Sequence, residues 1–405
     1  MSRYIAYNPD QAWLLPPSVR EELGEEHLAV FVHEVVERLE MSRFEATRAE
    51  EGRPAYPPQM MLKLWLYAYA QGMTSSRRLE QRIREDLGFR LLAGNLKPDY
   101  WTLNQFRRRH GRAINDVFTQ VVEAARRMGL GRLGKVAIDS TRVQANASAD
   151  RSDSRDGLRR ERARIRQRIR RWQQQCNRDD EEPGGGTQLP DPSWQQRLET
   201  IPRQMEELRK SGQQRCSRSD PESRYLRRRG GFCLGYTAEI AVSDDHLIVA
   251  QRVHQAPTDA ASLTAMTDEV ERECGERPEA VLADAGYYSM GQIEAVQSKG
   301  IEVCVPDPMM AVEMAGGQPV PEMNRRQQRR RPALKQFRER MREPAMRSDY
   351  TRRKALVEPV FGVLKQQRGM RQFRCRGLVA VSTEWALAAT AFNLSRMFER
   401  IRNSR

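Results

Sequence analysis

Two acids end apolar runs in this chain: Asp139 closes VAID (136–139) and Asp284 closes VLAD (281–284). A carboxylate at the end of a buried strand is costly unless it is paired or bound to a cation, so two of them in one sheet can converge on one hard metal site. A third oxygen ligand is needed to hold two ions. Glu358 in VEPVFGVLKQQRG (357–369) is the best candidate, because Val357, Val360, Phe361 and Leu364 form an apolar helical stripe that would pack on the sheet. Glu358, Phe361 and Lys365 would lie close to one face of that helix. Pro359 disfavours helical geometry in the residue before it, which would put Glu358 at the helix start. Singly, each acid is more often a turn former or helix cap; the set points to a metal centre.

Such acids need a sheet and a covering helix, and the patterning predicts an α/β protein. From about residue 20 to 128 the apolar residues recur at helical spacing, as in 22–40 and 58–72. Gly72 can close one helix, Ser75 or Ser76 can cap the next, and Thr102 with Gln105 has capping-box spacing. The segment SSRRLEQRIREDLGFR (75–90) fits a helix-turn-helix-like DNA reader or an ordinary charged bundle. At 135 the period changes to that of strands, with candidates at 135–148, 232–244, 246–255, 280–288 and 301–308 and helices at 259–276 and 289–299. Asp244 and Asp245 mark a hairpin, and the strand and helix order after it predicts a mixed sheet covered by helices. The C-terminal segments 350–368 and 380–403 are helical again.

This gives a helical domain over 1–130 and an α/β domain over 131–405, with two interruptions. Residues 150–225 read as a helical hairpin whose seams are Leu158, Ile165, Ile169 and Trp172, and Trp194, Leu198, Ile201, Met205 and Leu208. DDEEPGGGTQLPDP is its flexible connector, and Pro202 should kink or break the second helix. Residues 309–348 contain NRRQQRRRPALKQFRERMR, too basic to build a core, which reads as a phosphate-binding helix or a solvated loop.

Sixty-nine Lys and Arg against 54 Asp and Glu leave a formal charge of +15, which points to a polyanionic partner. Six cysteines without a CxxC pair fit reduced thiols, with Cys233 and Cys304 on buried strands. No apolar run approaches the ~20 residues of a membrane span, and the N-terminus lacks a signal-peptide core, so a cytoplasmic, nucleoid-associated address without membrane attachment is expected.

Beyond these readings, the chain resembles the DDE transposases of bacterial insertion sequences whose N-terminal region is of the InsH type and whose core is ribonuclease-H-like. The resemblance is carried by 56–94 and PDYWTLNQFRRRHG (98–111), then by VAIDSTRVQANAS (136–148), GYTAEIAVSDDHLIVAQRVHQAPTD (235–259), VLADAGYYS (281–289) and VEPVFGVLKQQRGMRQFRCRG (357–377). It implies that Asp139, Asp284 and Glu358 are the catalytic acids and metal ligands. Relatives carry a Tyr and an Arg before the glutamate and a Lys after it, which suggests Tyr350, Arg353 and Lys365 as DNA contacts; four residues rather than three separate Arg353 from Glu358. Arg368 and the other arginines of 368–377 would hold the DNA backbone.

The implied activity is transposition: cleavage of the element's ends and strand transfer into target DNA. Two Mg²⁺ ions, with Mn²⁺ as substitute, suit three carboxylates with no His or Cys. Water as nucleophile gives hydrolysis, and the freed 3′-hydroxyl gives strand transfer; Ser140 and Thr141 need no catalytic role. Terminal inverted repeats would be read by the N-terminal domain, so removal of 1–130 should abolish end-specific binding. Synapsis of two ends implies a homodimer on DNA; the helical hairpin could supply the contact, although closure of its seam within the hairpin itself is the favoured reading. The competing readings are a DNA-binding regulator or decayed element without catalysis, and a metal-dependent nuclease on the same core.

Overall fold

The structure, a computed structural model, describes residues 18–45, 55–179, 191–228 and 231–404. The N-terminal stretch read for a signal and most of the 179–192 connector lie outside them.

The helical signals of the first part become α1 (Val19–Leu23), α2 (Leu28–Glu37), α3 (Ser42–Glu45), α4 (Pro58–Ala70), α5 (Ser76–Glu85), α6 (Leu87–Ala93), α7 (Tyr100–Arg109) and α8 (Gly111–Arg127). Ser75 caps α5, its side chain accepting from the Arg78 amide. Ahead of α7 the cap is Asp99, which accepts from the Thr102 amide at 2.8 Å, so Thr102 is the third helical residue and not the cap.

The second part contains β1 (Lys135–Gln144), β2 (Ser152–Ser154), α9 (Arg155–Asp179), α10 (Pro192–Ser211), β3 (Arg215–Ser217), β4 (Arg224–Arg228), β5 (Gly231–Val242) and β6 (Ile248–His254). These are followed by α11 (Leu263–Cys274), β7 (Ala280–Leu282), α12 (Met290–Gln297), β8 (Glu302–Cys304), α13 (Pro308–Met314), α14 (Arg325–Arg330), α15 (Pro332–Met341), α16 (Pro344–Gly362) and α17 (Leu378–Arg402). The main sheet runs β4-β5-β1-β7-β8, with β6 also on β5. β1 is antiparallel to β5 and parallel to β7, so the sheet is mixed. The β5–β6 hairpin turns at Asp244 and Asp245, with His246 at φ 63.

α9 and α10 form the expected hairpin over a small separate core of Leu158, Ile165, Ile201, Leu208 and Cys216. A two-stranded β2–β3 ribbon joins its base. Pro202 lies inside α10, which continues from Pro192 to Ser211 without the break that proline alone predicts. The basic stretch 309–348 is not a solvated loop: it folds into α13, α14 and α15, and Phe337, Met341 and Met346 are buried in the main core. Phe337 and Met341, four residues apart, anchor α15, and Met346 belongs to the start of α16. None of the six cysteines forms a disulfide; Cys304 is buried as expected, whereas Cys233 is only half-buried. No described helix is long and apolar enough to cross a membrane.

The division at residue 130 is a change of secondary structure without a break in the core. α17 packs on α4, α7 and α8 as well as on β6, and one contiguous set of buried side chains runs from Trp65 through Trp385 to Val281. A buried charge pair bridges the two parts. Arg107 on α7 is 2% exposed and lies 3.6 Å from Glu384 of α17, while its guanidinium stacks 4.4 Å over the Trp65 ring. Glu384 in turn accepts the Arg374 and Cys375 amides. Removing 1–130 would therefore uncover the apolar face of α17 and leave Glu384 without its cation, so truncation is not a clean test of end recognition.

Candidate active site

Asp139 sits midway along β1, opposite Ile240 of β5. Strand alternation puts Asp139 and Thr141 on one face of the sheet and Ser140 and Arg142 on the other. The parallel register Ala137↔Leu282 brings the chain after β7 alongside, so Asp284, two residues further on, reaches the level of Asp139. Asp284 caps a single 3₁₀ turn, Ala285–Tyr287, and its Oδ1 accepts the Gly286 amide at 2.8 Å. α16 covers this face, because its stripe of Arg353, Leu356, Val357 and Val360 is buried against β1, β7 and β8.

Three polar side chains of this covering segment bond to β1: Asp349 accepts from Lys135 Nζ at 2.6 Å, and Arg353 and Lys365 reach further along the strand. Arg353 Nη1 lies 3.1 Å from Asp139 Oδ2, and Lys365 Nζ donates to Thr141 Oγ1 at 2.6 Å. Lys365 belongs to a one-turn π-helical stretch, Val363–Gln367, which continues α16. The Arg353 guanidinium also lies 5.7 Å from the centre of the Tyr350 ring. Burial pushes the Asp139 carboxyl up to about 6; Arg353 pulls it down and the neighbouring Asp284 pushes it up again. One guanidinium thus compensates the burial of Asp139 only in part. That deficit, with oxygen-only donors, fits a hard divalent cation.

The other residues expected at the site are less drawn together. Glu358 is exposed and lies well inside α16, which begins at Pro344 and carries Pro359 internally, so the acid is not at the helix start. Upstream residues from Met346 to Val357 bury the helix, and that tertiary packing overrides the local preference before proline. Arg353, not Glu358, is the α16 side chain that reaches Asp139. Arg368 is 9% exposed; it donates to Ser395 Oγ at 2.7 Å and lies 5.7 Å from the Phe392 ring centre. Burial pulls its guanidinium down to about 10, which marks it as a packing residue between the segment after α16 and α17 and not as a surface phosphate contact.

On the opposite face lies a second charged group that patterning did not single out. Glu239, His254 and Asp259 are the three-residue group, among the described residues, compact enough to hold a metal ion. Their chemistry argues otherwise. His254 Nδ1 accepts the Ala256 amide at 3.1 Å, so its proton is on Nε2, which faces Glu239 Oε2 at 3.3 Å outside hydrogen-bond geometry. Asp259 is held by Arg142 at 3.2 Å. A cation there would have to move the imidazole proton toward an amide N–H and displace a guanidinium. The only sequence signal for this group was the HQAPTD stretch at the end of the strand pair.

Comparison with known families fits this geometry. A family model described as Transposase domain (DUF772) matches residues 17–109, and one described as Transposase DDE domain matches residues 194–394. The second match contains Asp284 and Glu358; the β1 strand with Asp139 lies between the two. No curated protein and no solved structure matches the chain. With transposase models on both sides of β1 and a mixed sheet that brings Asp139 and Asp284 together, the chain belongs to the DDE transposases of insertion sequences, enzymes that cleave and join DNA.

Proposed function

We propose that Asp139 and Asp284 anchor the metal centre of this transposase, with Glu358 as third carboxylate and Mg²⁺ as the ion, two per site and replaceable by Mn²⁺. The observation that carries the reading is the placement of Asp139 and Asp284 side by side beneath α16, with Asp139 raised to about 6 although Arg353 lies 3.1 Å from it. Glu358 is supplied from the open side of the same helix, and its tie to the site is Lys365, seven residues on, whose ammonium lies against Thr141 beside Asp139. Mg²⁺ bound there neutralises phosphate charge and acidifies the attacking hydroxyl. The chain's own groups hold the DNA. Lys365 and the Tyr350 hydroxyl meet phosphate oxygens near the cut, while Arg353 keeps Asp139 ionised and oriented.

In hydrolysis, water adds to phosphorus and the 3′-oxygen departs with a proton; in strand transfer, that 3′-hydroxyl adds to a target phosphodiester and displaces its own 3′-oxygen. Away from the site, α9 presents Arg160, Arg164, Arg168 and Arg171 as one exposed row, spaced to track a DNA backbone. The exposed arginines of α5 and α6, Arg77, Arg78 and Arg90 among them, read the terminal inverted repeats, and two copies synapse the ends.

The test is cleavage of labelled element-end DNA in Mg²⁺ by the full chain and by Asp139→Ala. Metal-dependent nicking and joining by the first alone is the expected result. Equal activity in both, or none in the wild type, would sink the assignment.

A further inference from the structure

Glu239 is wholly buried in the middle of β5, where its neighbours Ala238, Ile240 and Ala241 are apolar and equally buried. A carboxylate in such a place costs several kcal/mol unless its oxygens are used, and an apolar residue would pack there at no such cost. One of its oxygens is hydrogen-bonded and the other only faces charged neighbours. Oε1 accepts from the Tyr287 hydroxyl at 3.1 Å; Oε2 faces His254 Nε2 at 3.3 Å and Arg252 Nε at 3.9 Å. Its backbone carbonyl accepts from Trp385 Nε1 at 3.1 Å, so the strand at this point is also fixed.

Tyr287 is the last residue of the turn that Asp284 begins, and its ring is completely buried. The turn between them is narrow. A Cβ on Gly286 would come within 2.9 Å of Asp284 Oδ1 and 3.8 Å of Asp259 Oδ2, and Arg142 pins Asp259 in that position. The loop carrying Asp284 is therefore held at its first residue by its own cap and at its last by the Tyr287–Glu239 bond.

We propose that Glu239 is a positioning residue for Asp284, acting through Tyr287 from the opposite face of the sheet. The inference rests on the reading of Asp284 as a metal ligand. The three-residue turn has one buried handle, the Tyr287 side chain, and Glu239 is what that handle's polar end grips. Releasing it lets the turn swing and spoils the fit of the Asp284 carboxylate to an ion without removing any ligand. A misplacement of about 1 Å in such a group can cost up to ~100-fold.

The experiment measures, in the full chain, the Mg²⁺ concentration giving half-maximal cleavage for wild type, Tyr287→Phe, Glu239→Gln and the double variant. Tyr287→Phe keeps the ring and loses only the bond; Glu239→Gln removes the charge and keeps polar groups facing both Tyr287 and His254. Tyr287→Phe should raise the half-point about fivefold to tenfold, with the rate at saturating Mg²⁺ within about threefold of wild type. Glu239→Gln should shift it less, and the double variant should match Tyr287→Phe, because both act through one bond. A lowered melting temperature with an unmoved half-point in either single variant would overturn the proposal, as would additive effects in the pair. Asp284→Asn in parallel separates the two readings: if it still cleaves in Mg²⁺, the assignment of Asp284 itself has failed, whereas its loss alongside an unmoved Tyr287→Phe half-point refutes only the role of Glu239.

Discussion

The two faces of the β1–β5 pair carry similar residues in different electrostatic states. On the Glu239 face, two carboxylates meet two arginines and a histidine: Arg142 binds Asp259, and Glu239 faces Arg252 and His254. The charges balance internally. On the Asp139 face, Lys135 pairs with Asp349 and the Lys365 ammonium binds Thr141, while Asp139 and Asp284 have Arg353 as their buried guanidinium; burial, with repulsion from Asp284, leaves Asp139 raised to about 6. Compactness of acidic side chains is therefore a poor guide to a metal centre. What distinguishes a receptive site is a buried carboxylate that the protein's own cations compensate only in part.

The largest expected effect tests that asymmetry directly. Asp139→Ala or Asp284→Ala should lower Mg²⁺-dependent cleavage by about 10³-fold or more, roughly 4 kcal/mol in barrier, whereas Glu239→Gln at saturating Mg²⁺ should cost less than ~10-fold. Equal losses on the two faces would erase the distinction. Next comes the charge pair that joins the helical part to the sheet. Glu384→Ala leaves Arg107 buried without its anion and should lower the unfolding free energy by about 3–5 kcal/mol, read by denaturant titration, with the whole chain losing stability as one unit. Separate transitions for 1–130 and the remainder would show that the shared core is not cooperative.

A smaller effect concerns pH. The folded value of Asp139, about 6, lies above its ordinary 3.8, so ionised Asp139 weighs against the fold as pH rises through that range, and a bound cation relieves the penalty. Below about 6 the ion must displace a proton. The rise in melting temperature on adding Mn²⁺ should therefore be full above pH 7 and shrink as pH falls toward 5, and Asp139→Asn should abolish the dependence; a rise independent of pH would contradict it. Smallest is the electrostatic arm. Replacing Arg160, Arg164, Arg168 and Arg171 by Ala should reduce the slope of log affinity against log salt by about 3–4 in fluorescence anisotropy with duplex DNA, with Mg²⁺-dependent cleavage at low salt retained. An unchanged slope would place the DNA elsewhere.

The legible parts of the site were those fixed by local rules. VAID and VLAD announce two strands that carry acids, although β1 runs on past Asp139 to Gln144 and only Asp284 follows a strand end, and the seams of 158–208 announce a hairpin, since periodicity is a property of the chain itself. Arg353 and Lys365 were reached only through the family resemblance, and their roles against Asp139 and Thr141 could not be read from it, because those pairs are more than 200 residues apart. Arg368 shows the limit of type-based reasoning: within a run of arginines it reads as a phosphate contact, yet the fold turns it inward onto Phe392 and Ser395. Phe337 and Met341 show the converse, apolar anchors in a segment whose charge hid them.

By itself, then, the sequence determined most of the elements, the basic character and the two acids on neighbouring strands, because backbone period, net charge and residue type need no partner to be expressed. Tertiary structure alone decided that Asp139 lies inside its strand with Asp284 beside it and Arg353 against it, that Glu239 and its neighbours face one another behind them, and that α17 closes the helical part and the sheet into one core. Those outcomes depend on which charges end up close together in a low-dielectric interior, and proximity across hundreds of residues is set by packing.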